Sequence, residues 1–221
     1  MKKLLFSSLL AVLTLCLCYN KASAQEESNK VHDFNKLVSM LSDKGVSFAY
    51  RHSANSAAIF NHKSSHLNMV RPGLTLYGIY PDPAIASKIN LEPILAWRAR
   101  VILVKTIQTG DSVGYGKTYV AKKQTKIAVL PVGYSHGYPV ALSRKSEVLI
   151  HGKRYQVIGR VSMDYLTIEI GDDSIRVGDQ VTLLGRNERD VIRAEELAQV
   201  ADTIPYEIVT GINSQITRVL I

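Results

Sequence analysis

The apolar positions of the chain follow two different patterns, and the change between them falls near residue 88. In the first part, a helix is predicted where apolar residues recur at helical spacing: Phe34, Leu37, Val38 and Leu41. Gly45 marks the end of this helix. A strand over 46–50, a helix that opens within 51–60 and a strand over 69–79 are expected to follow. This alternation is typical of a parallel α/β sheet, although two strands alone cannot cover its faces and edges.

From residue 89 onward, short strand signals dominate. Strands are predicted over six segments: 99–107, 126–131, 147–150, 155–158, 166–170 and 180–184. The residues His151-Gly152-Lys153 join two of these strands as a hairpin. One helix is expected over 193–200, and 216–221 is a further candidate to close a sheet. Residues 89–221 are therefore predicted to form a β-rich barrel or sandwich with one helix.

The first 24 residues have the layout of a secretory signal peptide. Lys2 and Lys3 begin it, an apolar run over 4–19 follows, and Ala22-Ser23-Ala24 supplies small residues at a cleavage site. The apolar run is shorter than the roughly 20 residues of a membrane-spanning helix. We therefore expect 1–24 to direct export to the periplasm or cell surface, followed by a polar linker over 25–33.

Cleavage after Ala24 would change the chemistry open to the chain. It removes Cys16 and Cys18, the only two cysteines, and changes the net charge from +8 to +5. A thiol nucleophile, cysteine metal ligands and disulfide bonds are then excluded from the mature chain. A lipid anchor on Cys16 or Cys18 is the alternative, although leucines precede both residues where such a signal has a small residue.

Neither the charge nor the histidines indicate nucleic acid or a metal. No basic cluster is interleaved with aromatic residues, and the six histidines are not paired with carboxylates at metal-ligand spacing. The motifs GxGxxG, the P-loop, HExxH and GxSxG are missing as well. What remains are polar and aromatic residues near glycines, in 114–116, 133–139 and 162–165. Each of these alone is more typical of a turn with a packed tyrosine than of a functional site.

Taken together, six segments resemble a known family. They are HSANSAAI (52–59), MVRPGLTLYG (69–78), VGYGKTY (113–119), PVGYSHGYP (131–139), GRVSMD (159–164) and TGINSQITRV (210–219). In this order and spacing they are similar to the alanine racemases, which are pyridoxal-phosphate enzymes with a (β/α)₈ barrel followed by a β-domain. The resemblance implies a mixed α/β fold, in which 34–88 is the C-terminal remnant of the barrel and 89–221 is the complete β-domain.

The resemblance assigns Tyr115 and Met163 to the reaction. Tyr115 matches one of the family's two catalytic bases, which remove the α-proton from one face of the substrate and return it on the other. Met163 matches a residue whose backbone contacts the substrate carboxylate. A tyrosine with an ordinary pKa of about 10 needs help to act as a base. The family's helper histidine lies upstream of the matched segments.

The resemblance also implies a pyridoxal 5'-phosphate site in the first part of the chain. Ser56 matches the phosphate-binding serine, at a turn that opens a helix where an anion is favoured. Gly73 and Leu74 match residues with backbone contacts to the same phosphate. Arg71 matches the arginine that faces the pyridine nitrogen and keeps that nitrogen unprotonated. His52 is expected to orient Arg71.

The chain departs from the family at several positions. The lysine that carries the cofactor lies in a Lys-Ala-Asn-Ala-Tyr-Gly-like motif near the start of the family's barrel. That motif has no counterpart here, and one of the two bases is missing with it. His136 and Val140 replace an aspartate and an arginine, and Ser214 stands where some members have a phosphate-contacting tyrosine. The chain alone is therefore not expected to racemise alanine.

Three hypotheses follow for the function. The first is an alanine racemase homologue that acts on alanine and supplies D-alanine for peptidoglycan, as a homodimer or with a partner chain that carries the missing barrel. The second is a non-catalytic exported module that uses the β-domain for binding or assembly. The third is a truncated remnant without a function of its own. None of them involves a metal or a nucleic-acid partner.

Overall fold

The computed structural model of the protein describes residues 24–220, which divide into two units between Leu91 and Glu92. This division lies close to the expected change near residue 88. The predicted signal peptide and its two cysteines lie outside the described residues, apart from Ala24. Among the described residues, no helix is both long and apolar enough to cross a bilayer.

The first unit begins with its longest helix, α1 (Ala24–Ser42). Val31 and Phe34 lie three residues apart on α1, and both are buried. The preceding run, QEESNK, is rich in residues with high helix propensity and continues the helix towards the N-terminus. The polar linker expected over 25–33 is therefore helical instead.

The strands expected in the first unit are not formed. Helix α2 (Ser56–Asn61) confirms the helix predicted within 51–60, and the Asn55 side chain caps it by accepting a hydrogen bond from the Ala58 N–H at 3.0 Å. Segments 46–50 and 69–79 contain no strand, because a strand needs a hydrogen-bonded neighbour and the described residues of this unit provide none. The unit instead contains short 3₁₀ helices: Lys63–Ser65, Leu74–Tyr77 and Pro83–Ser87.

The second unit contains ten strands and two helices among its described residues. The strands are β1 (Trp97–Arg100), β2 (Leu103–Ile107), β3 (Ser112–Val113), β4 (Tyr119–Val120), β5 (Thr125–Leu130), β6 (Glu147–Ile150), β7 (Lys153–Ile158), β8 (Leu166–Glu169), β9 (Gln180–Asn187) and β10 (Asp190–Ile192). The helices are α3 (Ala194–Ala201) and α4 (Pro205–Gly211). Each of the six predicted strand segments contains a strand, and α3 confirms the predicted helix. Helix α4 was not predicted, and 216–220 forms no strand.

The sheet of the second unit curls back on itself. Seven antiparallel strands follow the order β1-β9-β6-β7-β8-β5-β2, and β10 pairs with β9. Val101 and Ile102 alone connect β1 with β2, which lie at opposite ends of this order. The Val101 N–H donates to the Asp179 carbonyl, and the Ile102 N–H donates to the Val129 carbonyl, each at 3.0 Å. The chain therefore crosses from one edge to the other, which requires a half-barrel. The single strand expected over 99–107 is two strands for this reason.

The predicted hairpin at His151-Gly152-Lys153 is confirmed. His151 and Gly152 form its two-residue loop with φ values of 48° and 70°. Ile150 of β6 pairs directly with Lys153 of β7 across this loop. Positive φ at both loop residues is the type I′ geometry, whose twist matches that of the two strands.

A fully buried tyrosine anchors the core of the second unit. The Tyr138 ring meets Trp97 edge to face, with 5.9 Å between the ring centroids. Its hydroxyl lies 2.9 Å from the Ser146 Oγ, which satisfies the polar end of the side chain. Burial raises the pKa of Tyr138 to about 12. This tyrosine is therefore a structural residue and not a candidate base.

Arg154 of β7 ties strands and a helix together through carboxylates. Its Nε donates to Asp190 of β10 at 2.6 Å, and its Nη1 donates to Glu196 of α3 at 2.5 Å. Its Nη2 donates to the Val191 carbonyl at 3.1 Å, and Glu147 of β6 lies 3.4 Å from Nη1. The hydrogen bonds from Arg154 lower the pKa of Asp190, and the hydrogen bonds with Asp190 and Glu196 raise the pKa of Arg154.

We expect Arg154→Met to lower the free energy of unfolding by about 1–3 kcal/mol, because several carboxylates lose a shared hydrogen-bond donor. Lys153→Met is the matched control. Lys153 pairs with Asp173 on the exposed surface, so its loss is expected to cost less than the loss of Arg154. Urea unfolding of both variants at neutral pH measures the two costs. Equal losses would contradict a special role for Arg154.

The Arg154 effect is also expected to depend on pH. The pKa of Asp190 is lowered in the folded chain, so its stabilising contribution is complete above the pKa of an unfolded aspartate, about 4. The contribution is lost as the pH falls through the lower folded value. The stability difference between wild type and Arg154→Met should therefore shrink in acid. A difference that stays constant down to about pH 2.5 would refute this linkage.

Candidate functional site

One cavity of the second unit brings together two of the predicted site residues. It has a volume of about 360 Å³ and is lined by Tyr115, Tyr134, Arg160, Val161, Ser162 and Met163. Tyr115 and Met163, the predicted base and the predicted substrate contact, therefore border the same space. Tyr134 and Arg160 were not selected from the sequence, although both lie inside the segments that carry the family resemblance.

Glycines on both sides hold Tyr115 in an accessible position. Gly114 and Gly116 have φ values of 76° and 74°, in the left-handed region that favours glycine. A Cβ atom on Gly114 would lie 3.0 Å from the backbone nitrogen of Arg160, so the two segments pass close to each other. The Tyr115 side chain is 74% exposed. A ligand in the cavity can therefore reach it.

Met163 lies in a tight turn over 162–165. The Ser162 hydroxyl donates to the Tyr165 carbonyl at 2.8 Å and accepts from the Tyr165 N–H at 3.0 Å, which closes the turn. Met163 itself is more than half exposed. The turn thus places Met163 at the wall of the cavity.

The loop 133–137 holds this turn from behind. The Tyr134 N–H donates to the Ser162 carbonyl, and the Ser135 N–H donates to the Met163 carbonyl, each at 3.0 Å. A Cβ atom on Gly133 would overlap both of these carbonyl oxygens. Gly133 has an extended backbone, so glycine is needed here for space and not for its φ angle.

Polar side chains secure the loop at the positions where the chain departs from the family. The His136 Nδ1 accepts a hydrogen bond from the Gly133 N–H at 3.2 Å, which a carboxylate at this position would also do. The Asn213 amide donates to the Ser135 carbonyl at 2.8 Å, and the Asn213 N–H donates to the His136 carbonyl at 3.1 Å. Asn213 therefore ties the loop to the segment that carries the exposed Ser214.

In the first unit, the three predicted phosphate residues come together. Ser56 is the buried first residue of α2, and its hydroxyl accepts a hydrogen bond from the Gly73 N–H at 2.7 Å. Leu74 is buried and begins the adjacent 3₁₀ helix. The Thr75 hydroxyl, which the sequence did not indicate, donates to the Ser56 Oγ at 3.3 Å.

Two buried polar atoms near this cluster lack a partner within the described residues. They are the Nε of Arg71 and the Nδ1 of His52. The Arg71 N–H donates to the Ala54 carbonyl at 2.9 Å, which places Arg71 beside the segment that leads into α2. Buried polar atoms without a partner cost free energy unless a ligand or water satisfies them. The Ser56 hydroxyl and the unpartnered Arg71 Nε therefore suit a ligand that has an anionic group and a further hydrogen-bond acceptor. The role of His52 in orienting Arg71 stays a prediction.

Over residues 24–220, no group of three or more histidine, cysteine or acidic side chains is arranged to hold a metal ion.

Two protein-family models match the chain. The model for the alanine racemase N-terminal domain matches residues 7–81, and the model for the alanine racemase C-terminal domain matches residues 94–220. The gap between the matches contains the division between the two structural units. The first match begins inside the predicted signal peptide.

Known proteins show the same similarity. The alanine racemase of Symbiobacterium thermophilum is 43% identical over 203 residues, which cover 89% of this chain and 54% of that protein. The alanine racemase of Halothermothrix orenii is 41% identical over 186 residues, 84% of this chain and 49% of that protein. The solved structure of alanine racemase from Streptomyces coelicolor superposes with a TM-score of 0.87 at 33% identity, covering 92% of this chain and 54% of that one. The chain thus spans about half the length of these relatives.

Proposed function

Because the chain belongs to the alanine racemase family, we propose that it supplies one part of a pyridoxal-phosphate enzyme that interconverts L- and D-alanine. The observation that carries this proposal is the cavity shared by Tyr115 and Met163. A base and a backbone donor beside one small space are what α-proton exchange on an amino acid requires.

In this proposal Tyr115 exchanges the α-proton on one face of alanine. Its accessible side chain and its flanking glycines support that role, since the substrate must approach the hydroxyl directly. The Met163 N–H donates to the substrate carboxylate and so fixes which side of the α-carbon faces Tyr115. The opposite face needs a second base, which the matched motifs of this chain do not include.

The first unit would hold the cofactor. The phosphate of pyridoxal 5'-phosphate would lie beside Ser56, Gly73 and Leu74. The Ser56 hydroxyl accepts from the Gly73 N–H and so keeps its own proton to donate to the phosphate. The buried, unpartnered Nε of half-buried Arg71 supports a contact with the ring nitrogen, and a permanently charged guanidinium keeps that nitrogen unprotonated. When bound, the cofactor supplies an electron sink for the charge left at the α-carbon.

We propose that the remaining barrel comes from a partner chain. The chain spans about half of its relatives, and its first unit exposes large apolar side chains at Tyr50, Leu76 and Tyr77, a surface that further barrel elements would cover. A homodimer of this chain would duplicate Tyr115 without supplying the lysine segment. A partner that carries the lysine is therefore the better supported assembly.

A non-catalytic exported module is the second candidate, favoured by the signal-peptide layout of 1–24 and the lack of the lysine motif.

We propose export to the periplasm or cell surface for both candidate functions. Expression of the full chain in a Gram-negative host is expected to yield a secreted product that begins at Gln25, as read by mass spectrometry of its N-terminal peptide. A cytoplasmic product that retains Met1 and the residues up to Ala24 would overturn export.

The racemase proposal is tested by reconstitution. The full chain with pyridoxal phosphate is expected to form no D-alanine from L-alanine until a chain that carries the lysine-bearing barrel segment is added. Tyr115→Phe should then lower kcat by about 100-fold or more, since it removes the hydroxyl that exchanges the proton.

Tyr165→Phe is the matched control, because Tyr165 is an exposed tyrosine outside the lining of the cavity. It should leave kcat unchanged. A reconstituted mixture without turnover would count against the enzyme and favour the binding module, whereas turnover that survives Tyr115→Phe would remove Tyr115 from the role of base.

The cofactor site has its own test. Ser56→Ala is expected to weaken pyridoxal-phosphate binding by about five- to tenfold, because the phosphate loses an O–H donor and the Gly73 N–H loses its acceptor. The change in cofactor absorbance on titration of the full chain measures the affinity. Ser64→Ala, at an exposed position of the same unit, should bind like wild type. Equal affinity of wild type and Ser56→Ala would remove Ser56 from the site.

A further inference from the structure

We propose that Ser135 is a positioning residue that shapes the 162–164 backbone into a two-amide site for a carboxylate. The inference rests on the proposed function in one respect: it identifies the bound carboxylate as that of the amino-acid substrate. It adds a second donor, the Asp164 N–H, and a residue that acts on the site through the backbone and the Asp164 side chain that it holds.

The first observation is that one loop fixes two consecutive peptide groups. The Tyr134 N–H holds the Ser162 carbonyl, while the Ser135 N–H and hydroxyl both lie within hydrogen-bond distance of the Met163 carbonyl, at 3.0 and 2.8 Å. Both carbonyl oxygens converge on Gly133, where any Cβ atom would overlap them. The two peptide planes therefore have a fixed orientation.

That orientation determines where the adjacent N–H groups point. Both peptides are trans, and in a trans peptide the N–H points away from the carbonyl of the same plane. The N–H groups of Met163 and Asp164 thus face away from Gly133. Neither donates a hydrogen bond to any residue in the described part of the chain. Consecutive N–H groups that share one side form a concave site for anions.

Ser135 has a second effect, on the charge nearest to this site. Its hydroxyl lies 3.0 Å from the Asp164 Oδ1, on the same side of the turn as the Met163 carbonyl. This contact keeps the Asp164 carboxylate on the loop side, opposite the two N–H groups. Without it, the carboxylate is free to swing towards the amides and to repel or replace a bound anion.

The loop residue itself is fixed from two further directions. The Asn213 amide donates to the Ser135 carbonyl at 2.8 Å. The His136 Nδ1 lies 3.2 Å from the Ser135 Oγ while it accepts from the Gly133 N–H. Ser135 therefore has little freedom to move away from the turn, as a positioning role requires.

Acetate titration of the ¹⁵N-labelled full chain tests the inference without cofactor or partner. The Met163 and Asp164 amide signals of the wild type should shift together and saturate. Ser135→Ala should raise the acetate dissociation constant by about fivefold or more, whereas Ser135→Thr, which restores the hydroxyl, should return it to within about twofold of wild type. Ser174→Ala, at an exposed turn, is the matched control and should bind acetate like wild type.

The contribution of Asp164 is separated by a double variant. Asp164→Asn in the Ser135→Ala background should recover part of the lost affinity, because the competing charge is removed. Should Ser135→Ala fail to fold, Ser135→Cys, which keeps a weaker donor, should show an intermediate loss. The inference would be overturned if the Met163 and Asp164 amide signals of the wild type do not both show a saturable shift. It would also be overturned if Ser135→Ala binds acetate as tightly as the wild type. Acetate binding without racemase activity in the reconstituted mixture would instead count against the proposed function alone.

Discussion

The contact between loop 133–137 and the turn at 162–165 is the constraint on which the site of the second unit depends. Gly133 leaves no room for a side chain, so the loop backbone meets two carbonyl oxygens directly. The next residues of the same chain segment lead to Tyr138, which is fully buried against Trp97. The geometry of the Met163 backbone is therefore coupled to the packing of the core, and the exposed side chains around the cavity contribute little to it.

The two units differ in how the hydrogen-bonding groups of their backbones are paired. In the second unit the sheet curls until its terminal strands are joined by two residues, and Arg154 links three of its strands and helix α3. The first unit has helices and 3₁₀ turns and no strand among its described residues. The backbone of the second unit is therefore paired across strands that are distant in sequence, whereas the first unit depends largely on local helical hydrogen bonds.

Local signals in the sequence predicted those elements whose stability is local. The hairpin at His151-Gly152 needs only two residues with positive φ, and α3 needs only an apolar face, so both could be read directly. The segments 46–50 and 69–79 have the composition of strands and still form none, because pairing partners are not local. The division of the predicted strand 99–107 into β1 and β2 could not be predicted for a related reason. Only the curl of the sheet makes the chain change its hydrogen-bonding partner strand at Val101.

The candidate site was likewise predicted only in part from the sequence. The sequence by itself determined the family, and with it Tyr115, Met163 and Ser56 as candidates, because these residues stand in motifs whose order and spacing are preserved. It also showed that these residues contain no counterpart of the family's lysine motif. Only the tertiary structure decided that Tyr115 and Met163 share a cavity with Tyr134 and Arg160, and that Ser135 holds the turn behind them. Those contacts join residues that lie far apart along the chain, and their geometry follows from the packing of the sheet.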